Sequence, residues 1–253
     1  MNKVLAFCIL IAINAQLLLA QTLDDPLITD RPDATESAFT IPQGSFQIET
    51  GVIYESTKFY ENAVSIEDNS LHLATTLIRY GMWNNVELRF GTMYSTSTLK
   101  IGEAESTVSG INRILLSAKF HVLEEKGILP EASLLANVRF PTADFGNETR
   151  YALFIAASHT LSDMFGLGYN IGAAKEGDWE FVYTLALGAG LSDKVGVFAE
   201  VFGNFTQENH WLDAGLTYLV NNHLQLDASF GYGLDTHYPD WFINGGVSVR
   251  IPN

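Results

Sequence analysis

The stretch of residues 179–191, WEFVYTLALGAGL, alternates between two kinds of residue. Its odd-numbered positions are all apolar or aromatic, whereas its even-numbered positions include Glu180, Thr184 and two glycines. Because successive side chains of a β-strand point to opposite faces, this stretch predicts one strand with an apolar face and a polar face.

The same two-residue period recurs from Ser45 to the end of the chain. It is clear in residues 46–55, 86–94, 116–122, 131–140, 165–172, 224–233 and 241–251, and weaker in residues 71–80, 151–161, 195–204 and 211–219. In 71–80 and 151–161 both faces are fairly apolar, so their orientation stays open. The pattern predicts about 12 strands, with about 17 residues for each strand and its connection, which suits membrane-spanning strands of about 9 to 11 residues.

Short and long connections alternate between these strands. The short ones are residues 82–85, 124–127, 162–164, 192–194 and 220–223. The long, mostly acidic ones are residues 57–69, 95–110, 141–149, 173–178, 205–210 and 235–240. This alternation is typical of an outer-membrane barrel with brief periplasmic turns and longer extracellular loops.

The composition favours a membrane barrel over a soluble β-sandwich or a lipocalin-like barrel. Only 17% of the residues are charged, and the polar faces carry mainly Gly, Ser, Thr and Asn. We therefore predict an all-β fold, a transmembrane antiparallel β-barrel at residues 45–253. Aromatic residues near the strand ends suit interfacial girdles, namely Tyr80, Trp83, Tyr94, Trp179, Trp211 and Trp241. The net charge of −15 argues against a nucleic-acid partner.

Residues 1–20 have the order of a secretory signal peptide. Lys3 precedes an apolar run at residues 4–13, and we expect cleavage after Ala20, with Ala15 as the alternative. The run is short of the ~20 residues that a membrane anchor needs. The only cysteine, Cys8, lies in this segment, so we expect an exported protein without disulfides, located in the bacterial outer membrane.

Residues 21–44 show no strand period and contain Asp30, Arg31, Pro32 and Asp33 in succession. We predict a periplasmic N-terminal segment, and two alternatives stay open for it. It is either a turn-rich, solvated lead-in or a peptide folded back into the mouth of the barrel.

Charged residues on the polar strand faces are predicted to line the lumen. They are Glu49, Glu87, Arg89, Lys119, Glu131, Arg139, Glu200, Asp213, Asp227 and Arg250. Such mixed charges either frame a narrow pore or close it with ion pairs. Because carboxylates predominate on these faces and in the loops, we expect an open pore to disfavour anions.

Two blocks resemble a known family: ITDRPDATE at residues 28–36 and IPQGSFQIETG at residues 41–51. Residues 78–81, 87–89, 198–200 and 224–233 are similar to its later blocks. This is the bacterial outer-membrane family labelled as transporters of the phenol-degradation meta-pathway. The resemblance implies a barrel and a transport role for phenol or another hydrophobic compound.

Catalytic and metal sites find little support. Ser158 and His159 are adjacent and so point to opposite faces of a strand, and Asp235 with His237 lacks a partner pair of aspartates. The six histidines show no zinc spacing. We predict a protein that is not an enzyme and has neither metal nor cofactor.

The predicted function is passage of small, hydrophobic or aromatic solutes across the outer membrane, with membrane lipid as a partner and the oligomeric state open. The main alternative is a structural or surface-interaction barrel without an open pore. A soluble periplasmic binder and an outer-membrane hydrolase are less favoured.

Overall fold

The structure is a computed structural model that describes residues 26–61, 64–234 and 240–252. The predicted signal peptide lies outside these residues. The strands are β1 (Phe46–Glu61), β2 (Val64–Trp83), β3 (Val86–Ile101), β4 (Ala104–Leu123), β5 (Glu131–Phe140), β6 (Arg150–Thr160), β7 (Phe165–Glu176), β8 (Asp178–Gly190), β9 (Val195–Asn204), β10 (Asn209–Asn221), β11 (Leu224–Gly233) and β12 (Trp241–Ile251).

Each strand pairs with its neighbours in sequence, and β12 pairs with β1 to close the barrel. Every pairing is antiparallel, including the closing register of Phe46 with Ile251. Among the described residues, no helix is long and apolar enough to cross a membrane. The predicted 12-stranded antiparallel barrel is thus confirmed.

Strand β8 shows how the sequence produces the two surfaces. Phe181 and Leu185 are exposed on the outside of the barrel, whereas Glu180 and Ala186 are buried inside. The other strands follow the same rule, so the outer surface is apolar and most of the buried side chains are polar or charged. This arrangement is the reverse of a soluble barrel and suits a wall surrounded by lipid.

A β-bulge explains why the orientation of residues 71–80 was ambiguous. The pairing of β2 with β3 shifts between Leu73 and Thr76, where Ala74 has a positive φ of 49°. Since one extra residue reverses the faces of a strand, Leu73 points outward before the bulge, and Arg79 points inward after it. In β6 the ambiguity has another cause, because the large apolar Phe154 faces the lumen.

Two predicted external loops, residues 57–69 and 95–110, are wrong because they belong largely to strands. The β1–β2 ladder continues to the pair Glu61 and Val64, and the β3–β4 ladder continues to Ile101 and Ala104. Residues 95–110 are rich in Ser and Thr, whose hydroxyl groups hydrogen-bond between β3 and β4. Strands β1–β4 are therefore longer than the others.

The remaining external connections differ in length. Residues 141–149 form a loop, whereas residues 173–178 are almost entirely strand, with a tight turn at Gly177 that has a φ of 79°. Of residues 235–240, only Asp240 is described. The connection after β4 runs to Glu131 and is longer than the predicted turn at 124–127.

We expect Leu185→Arg to destabilise the folded barrel by about 2 to 4 kcal/mol if this position lies at the bilayer midplane, because the charge would face lipid. The matched control is Ala186→Arg, whose side chain faces the lumen beside its register partner Glu200 and should be milder. A urea folding titration in lipid vesicles measures both variants, and equal losses would contradict the assigned faces.

Candidate functional site

Residues 26–44, the N-terminal plug, lie inside the barrel. The backbone N–H of Ile41 donates to Glu87 at 3.0 Å, and Ser133 donates its hydroxyl to the carbonyl of Ala38 at 2.5 Å. On the opposite wall, Asn244 donates to the carbonyl of Pro32 at 3.0 Å. Of the two alternatives for this segment, the structure shows the folded-back peptide, so its description as a periplasmic segment is corrected to a lumenal one.

The plug is anchored by Asp30, which meets three cations of the wall. Its carboxylate lies 3.1 Å from Arg79, 2.8 Å from Arg89 and 3.2 Å from Lys119. Burial alone would raise the pKa of Asp30, but the three cations, Arg79 foremost, hold it well below its usual range. Asp30 is therefore an ionised anchor.

Arg79 connects this anchor to the wall. It lies 2.8 Å from Glu49 and 2.7 Å from Glu87, and it is fully buried. We call the whole group the ion cluster; it consists of Asp30, Glu49, Arg79, Glu87, Arg89 and Lys119. The sequence analysis missed Arg79 because its strand could not be oriented. Its charge alone indicated an inward position, because a charged side chain in a spanning strand is costly on the lipid face.

Arg31, the next residue of the plug, contacts β11 and β12 and lies beside β1. Arg31 lies 3.1 Å from Asp227 and donates to Asn244 at 2.7 Å. Its guanidinium occupies the space beside Gly51 and Gly246, where a Cβ atom would approach it to 2.3 Å. These glycines are therefore required by the close approach of a side chain.

Asp33 lies in a second, acidic environment. Enclosure in the barrel and the nearby Glu200, with Asp213 contributing, raise the pKa of Asp33 well above its ordinary value. Glu200 itself accepts the backbone N–H of Ala34 at 2.7 Å and the hydroxyl of Thr35. The plug therefore holds one ionised aspartate and one whose proton is retained more strongly.

Nine of the ten residues predicted to line the lumen are buried in the barrel interior: Glu49, Glu87, Arg89, Lys119, Glu131, Glu200, Asp213, Asp227 and Arg250. Arg139 also faces the lumen, but it is exposed to open space there. The structure brings some of them together and separates others. Glu131 pairs with His121 near the periplasmic end, and Arg250 lies beside the β10–β11 turn, 3.2 Å from the carbonyl of Asn222.

Two cavities lie on the external side of the plug. The aromatic cavity has a volume of about 450 Å³ and is walled partly by Phe154, Phe202 and Trp211. The arginine cavity has a volume of about 420 Å³ and includes Arg89 in its lining. Both cavities are lined by Glu36 and Arg139.

The inward position of Trp211 corrects its predicted place in a membrane girdle. Its ring stacks on that of Phe202 with the centroids 5.5 Å apart, and both rings face the aromatic cavity. The sequence analysis did not identify Glu36, Arg113, Arg150, Phe154 and Phe202 as lining residues. An aromatic residue at a strand end has no sequence signal that separates a girdle from a lumenal wall.

A third cavity, of about 320 Å³, lies on the periplasmic side of the plug. Its wall includes Thr160 and Gly166 at the periplasmic ends of β6 and β7. It shares Glu36 with the aromatic cavity, and residues 34–36 of the plug line one cavity or the other. Along β6–β9, these three plug residues thus lie between the external and the periplasmic cavity. Within the described chain, no cluster of three or more potential metal ligands occurs.

A closed barrel with an apolar outer surface and a polar, plugged lumen defines an outer-membrane β-barrel protein. Over residues 29–251 the sequence matches the family model described as "Putative MetA-pathway of phenol degradation", and the chain belongs to that family. The resemblance predicted from the sequence is confirmed. A search of curated proteins with the sequence returns no significant match.

Three solved structures illustrate the similarity of fold. The COG4313 outer membrane channel from Pseudomonas putida F1 has a TM-score of 0.66 and 11% identity, covering 84% of this chain and 97% of that chain. The transport unit of the autotransporter AIDA-I from Escherichia coli has a TM-score of 0.53 and 9% identity, covering 98% and 97%. The KdgM porin has a TM-score of 0.52 and 8% identity, covering 82% and 99%. None is named as an enzyme.

We expect docking of the N-terminal plug to weaken as the pH rises. The raised pKa of Asp33 means that the docked plug retains a proton that the undocked plug releases near pH 4. The stabilisation of the docked plug by this proton is complete below the ordinary aspartate pKa of about 4. It is lost as the pH rises through the raised pKa of Asp33 in the docked plug. Asp33→Asn should remove the loss and keep the plug docked at alkaline pH.

A spin label on Ala34→Cys reports docking as the immobile fraction in electron paramagnetic resonance spectra at pH 5 and pH 9. The external-loop variant Asp144→Asn is the matched control and should behave as the parent does. If the mobile fraction of Asp33→Asn grows with pH as much as that of the parent, Asp33 is not the responsible group.

Proposed function

We propose that this protein is an outer-membrane channel for small, hydrophobic or aromatic solutes, and that the N-terminal plug closes it in this structure. The observation that carries the proposal is the pair of cavities on either side of residues 34–36. A solute in the aromatic cavity is separated from the periplasmic-side cavity by this short stretch of plug.

The contacts that hold this stretch in place are polar. Thr35 hydrogen-bonds to Thr184 at 2.6 Å, and the backbone N–H of Glu36 donates to Asn170 at 2.7 Å. Water can replace such hydrogen bonds at a small net free-energy cost, about 0.5 to 1.5 kcal/mol each. Glu36 also forms an ion pair with Arg89, 2.5 Å away, which must break when the stretch moves. The stretch can therefore move without exposing a large apolar surface, at the cost of these hydrogen bonds and of one ion pair.

The size of the barrel supports the same conclusion. Side chains fill the interior of a barrel of about 8 strands, whereas barrels of 16 to 18 strands leave a wide aqueous channel. With its 12 strands this barrel lies between the two limits. Its lumen is wide enough to hold a peptide segment as well as cavities, so displacement of the segment would leave a passage.

The comparisons support a channel without identifying the solute. The neighbour with a TM-score of 0.66 is named as an outer membrane channel. At 11% identity, however, the similarity shows only that the two proteins share a fold. The family description refers to phenol degradation, which agrees with a cavity walled by Phe154, Phe202 and Trp211. An aromatic or hydrophobic solute is thus the class that the wall and the family both favour.

A reversible cross-link tests whether the plug closes the channel. Because the hydroxyl oxygens of Thr35 and Thr184 are 2.6 Å apart, Thr35→Cys/Thr184→Cys should form a disulfide between the plug and β8. In a planar lipid bilayer we expect the oxidised double variant to be silent. Reduction should restore discrete conductance steps like those of the wild-type protein.

The single variants Thr35→Cys and Thr184→Cys are the controls, and their conductance should not depend on the redox state. Wild-type protein that stays silent at high protein load would refute the channel and favour a structural or surface-interaction barrel. Unchanged conductance with the disulfide shown to be formed would refute closure by this stretch of the plug.

A further inference from the structure

The charge of Arg139 differs from those around it because it has no counter-ion. Among the described residues, no carboxylate lies within ion-pair distance of its guanidinium, and its nearest charged neighbours are mainly cations. Arg150, its register partner on β6, carries the same sign of charge, and Arg113 and Arg89 also act on it as cations, whereas Glu36 acts as an anion. Arg139 therefore presents a guanidinium without an ion-pair partner in the described chain where the aromatic and arginine cavities meet.

Each of the neighbouring arginines lies within ion-pair distance of a carboxylate. Arg150 lies 2.6 Å from Glu180, and Arg113 lies 3.6 Å from Glu176. Arg89 lies 2.5 Å from Glu36 of the plug. Arg139 is thus the arginine of this group that has no carboxylate within ion-pair distance among the described residues.

A second observation comes from Arg89, which is 3% exposed and lines the arginine cavity. Its Nη1 atom is buried without a hydrogen-bond partner within the described part of the chain. The carboxylates of the external loop do not pair with Arg89 or Arg139. Asp144 packs on the backbone of Gly110, and Glu148 lies near Gly177.

We propose that the external cavities form a binding site for an aromatic monocarboxylate. The planar guanidinium of Arg139 receives the carboxylate through two parallel hydrogen bonds. The ring of the ligand lies in the aromatic cavity against Phe154, Phe202 and Trp211. A cavity of about 450 Å³ is within the range of small-molecule sites.

The three glutamates limit the charge of the ligand. Glu36 and Glu180 line the aromatic cavity itself, so a dianion would meet repulsion that a monoanion avoids.

The site also changes the expectation that the pore disfavours anions. That expectation counted carboxylates, but those of the ion cluster lie against cations, whereas Arg139 on the external side has no carboxylate within ion-pair distance among the described residues. The inference rests on the proposed channel, since it names the class of solute that the channel would take.

Equilibrium binding to the detergent-solubilised protein tests the site without requiring an open pore. Benzoate is the probe, benzamide is its neutral counterpart, and isothermal titration calorimetry measures both. We expect benzoate to bind at least tenfold more tightly than benzamide. Arg139→Gln should weaken benzoate binding at least tenfold and leave benzamide unaffected, and Arg139→Lys should lie between wild type and Arg139→Gln because it keeps the charge without the planar fork.

Two further variants separate this site from general effects. Lys194→Gln removes a cation from a periplasmic turn and should bind benzoate as the wild type does. Phe202→Leu should weaken benzoate more than acetate, since only benzoate carries a ring. The folded state of each variant is checked by its heat-dependent migration in gel electrophoresis.

Equal affinities of wild-type protein and folded Arg139→Gln for benzoate would overturn the proposal, as would tighter binding of benzamide than of benzoate. The result is separable from that of the cross-linking experiment. A silent bilayer together with Arg139-dependent benzoate binding refutes the channel and leaves the site. A conducting protein that binds no benzoate refutes the site and leaves the channel.

Discussion

The pairing of buried charges inside the barrel is the constraint on which the rest of the structure depends. A wall that faces lipid must place its charged side chains inward, and there each charge needs a partner. In the ion cluster, the wall supplies three cations but only the two carboxylates of Glu49 and Glu87. Asp30 of the plug supplies the third, so the charges of the ion cluster are balanced only when the plug is docked.

This balance accounts for the position of the N-terminal plug. Removing one partner of a buried ion pair typically costs about 3 to 5 kcal/mol because it leaves an unpaired charge. Release of Asp30 therefore requires water to enter and solvate Arg79, Arg89 and Lys119. The ionised state of Asp30 at neutral pH keeps this contribution at its full value.

The sequence predicted the barrel well because the decisive signal is local. In residues 179–191 every second side chain reports its own face, and no other part of the chain is needed to interpret it. The prediction was incomplete where the local alternation does not report which face of the strand points inward. The bulge at Ala74 hid Arg79, and the continuations of β1–β4 look like loops because polar and charged residues interrupt their apolar positions.

The candidate site was harder to predict because it depends on pairings between distant residues. The sequence placed Arg139 in the lumen, but whether it has a counter-ion depends on Glu36, Glu176 and Glu180, which belong to the plug, β7 and β8. The charge count could not show that the plug neutralises part of the wall. A net charge constrains the field of a lumen only after its ion pairs have been subtracted.

Strands β1–β4 and β5–β10 therefore contact the plug in different ways. The first group holds the plug through the ion cluster, whereas the second forms the aromatic cavity and contacts residues 34–36 by hydrogen bonds. Because ion pairs with buried partners are costlier to break than single hydrogen bonds, the plug is held firmly on one side of the lumen and more weakly on the other. The weaker side is also the one that has a cavity above and below the plug, so the shortest path through the barrel is closed by a few hydrogen bonds and by one ion pair, that of Glu36 with Arg89.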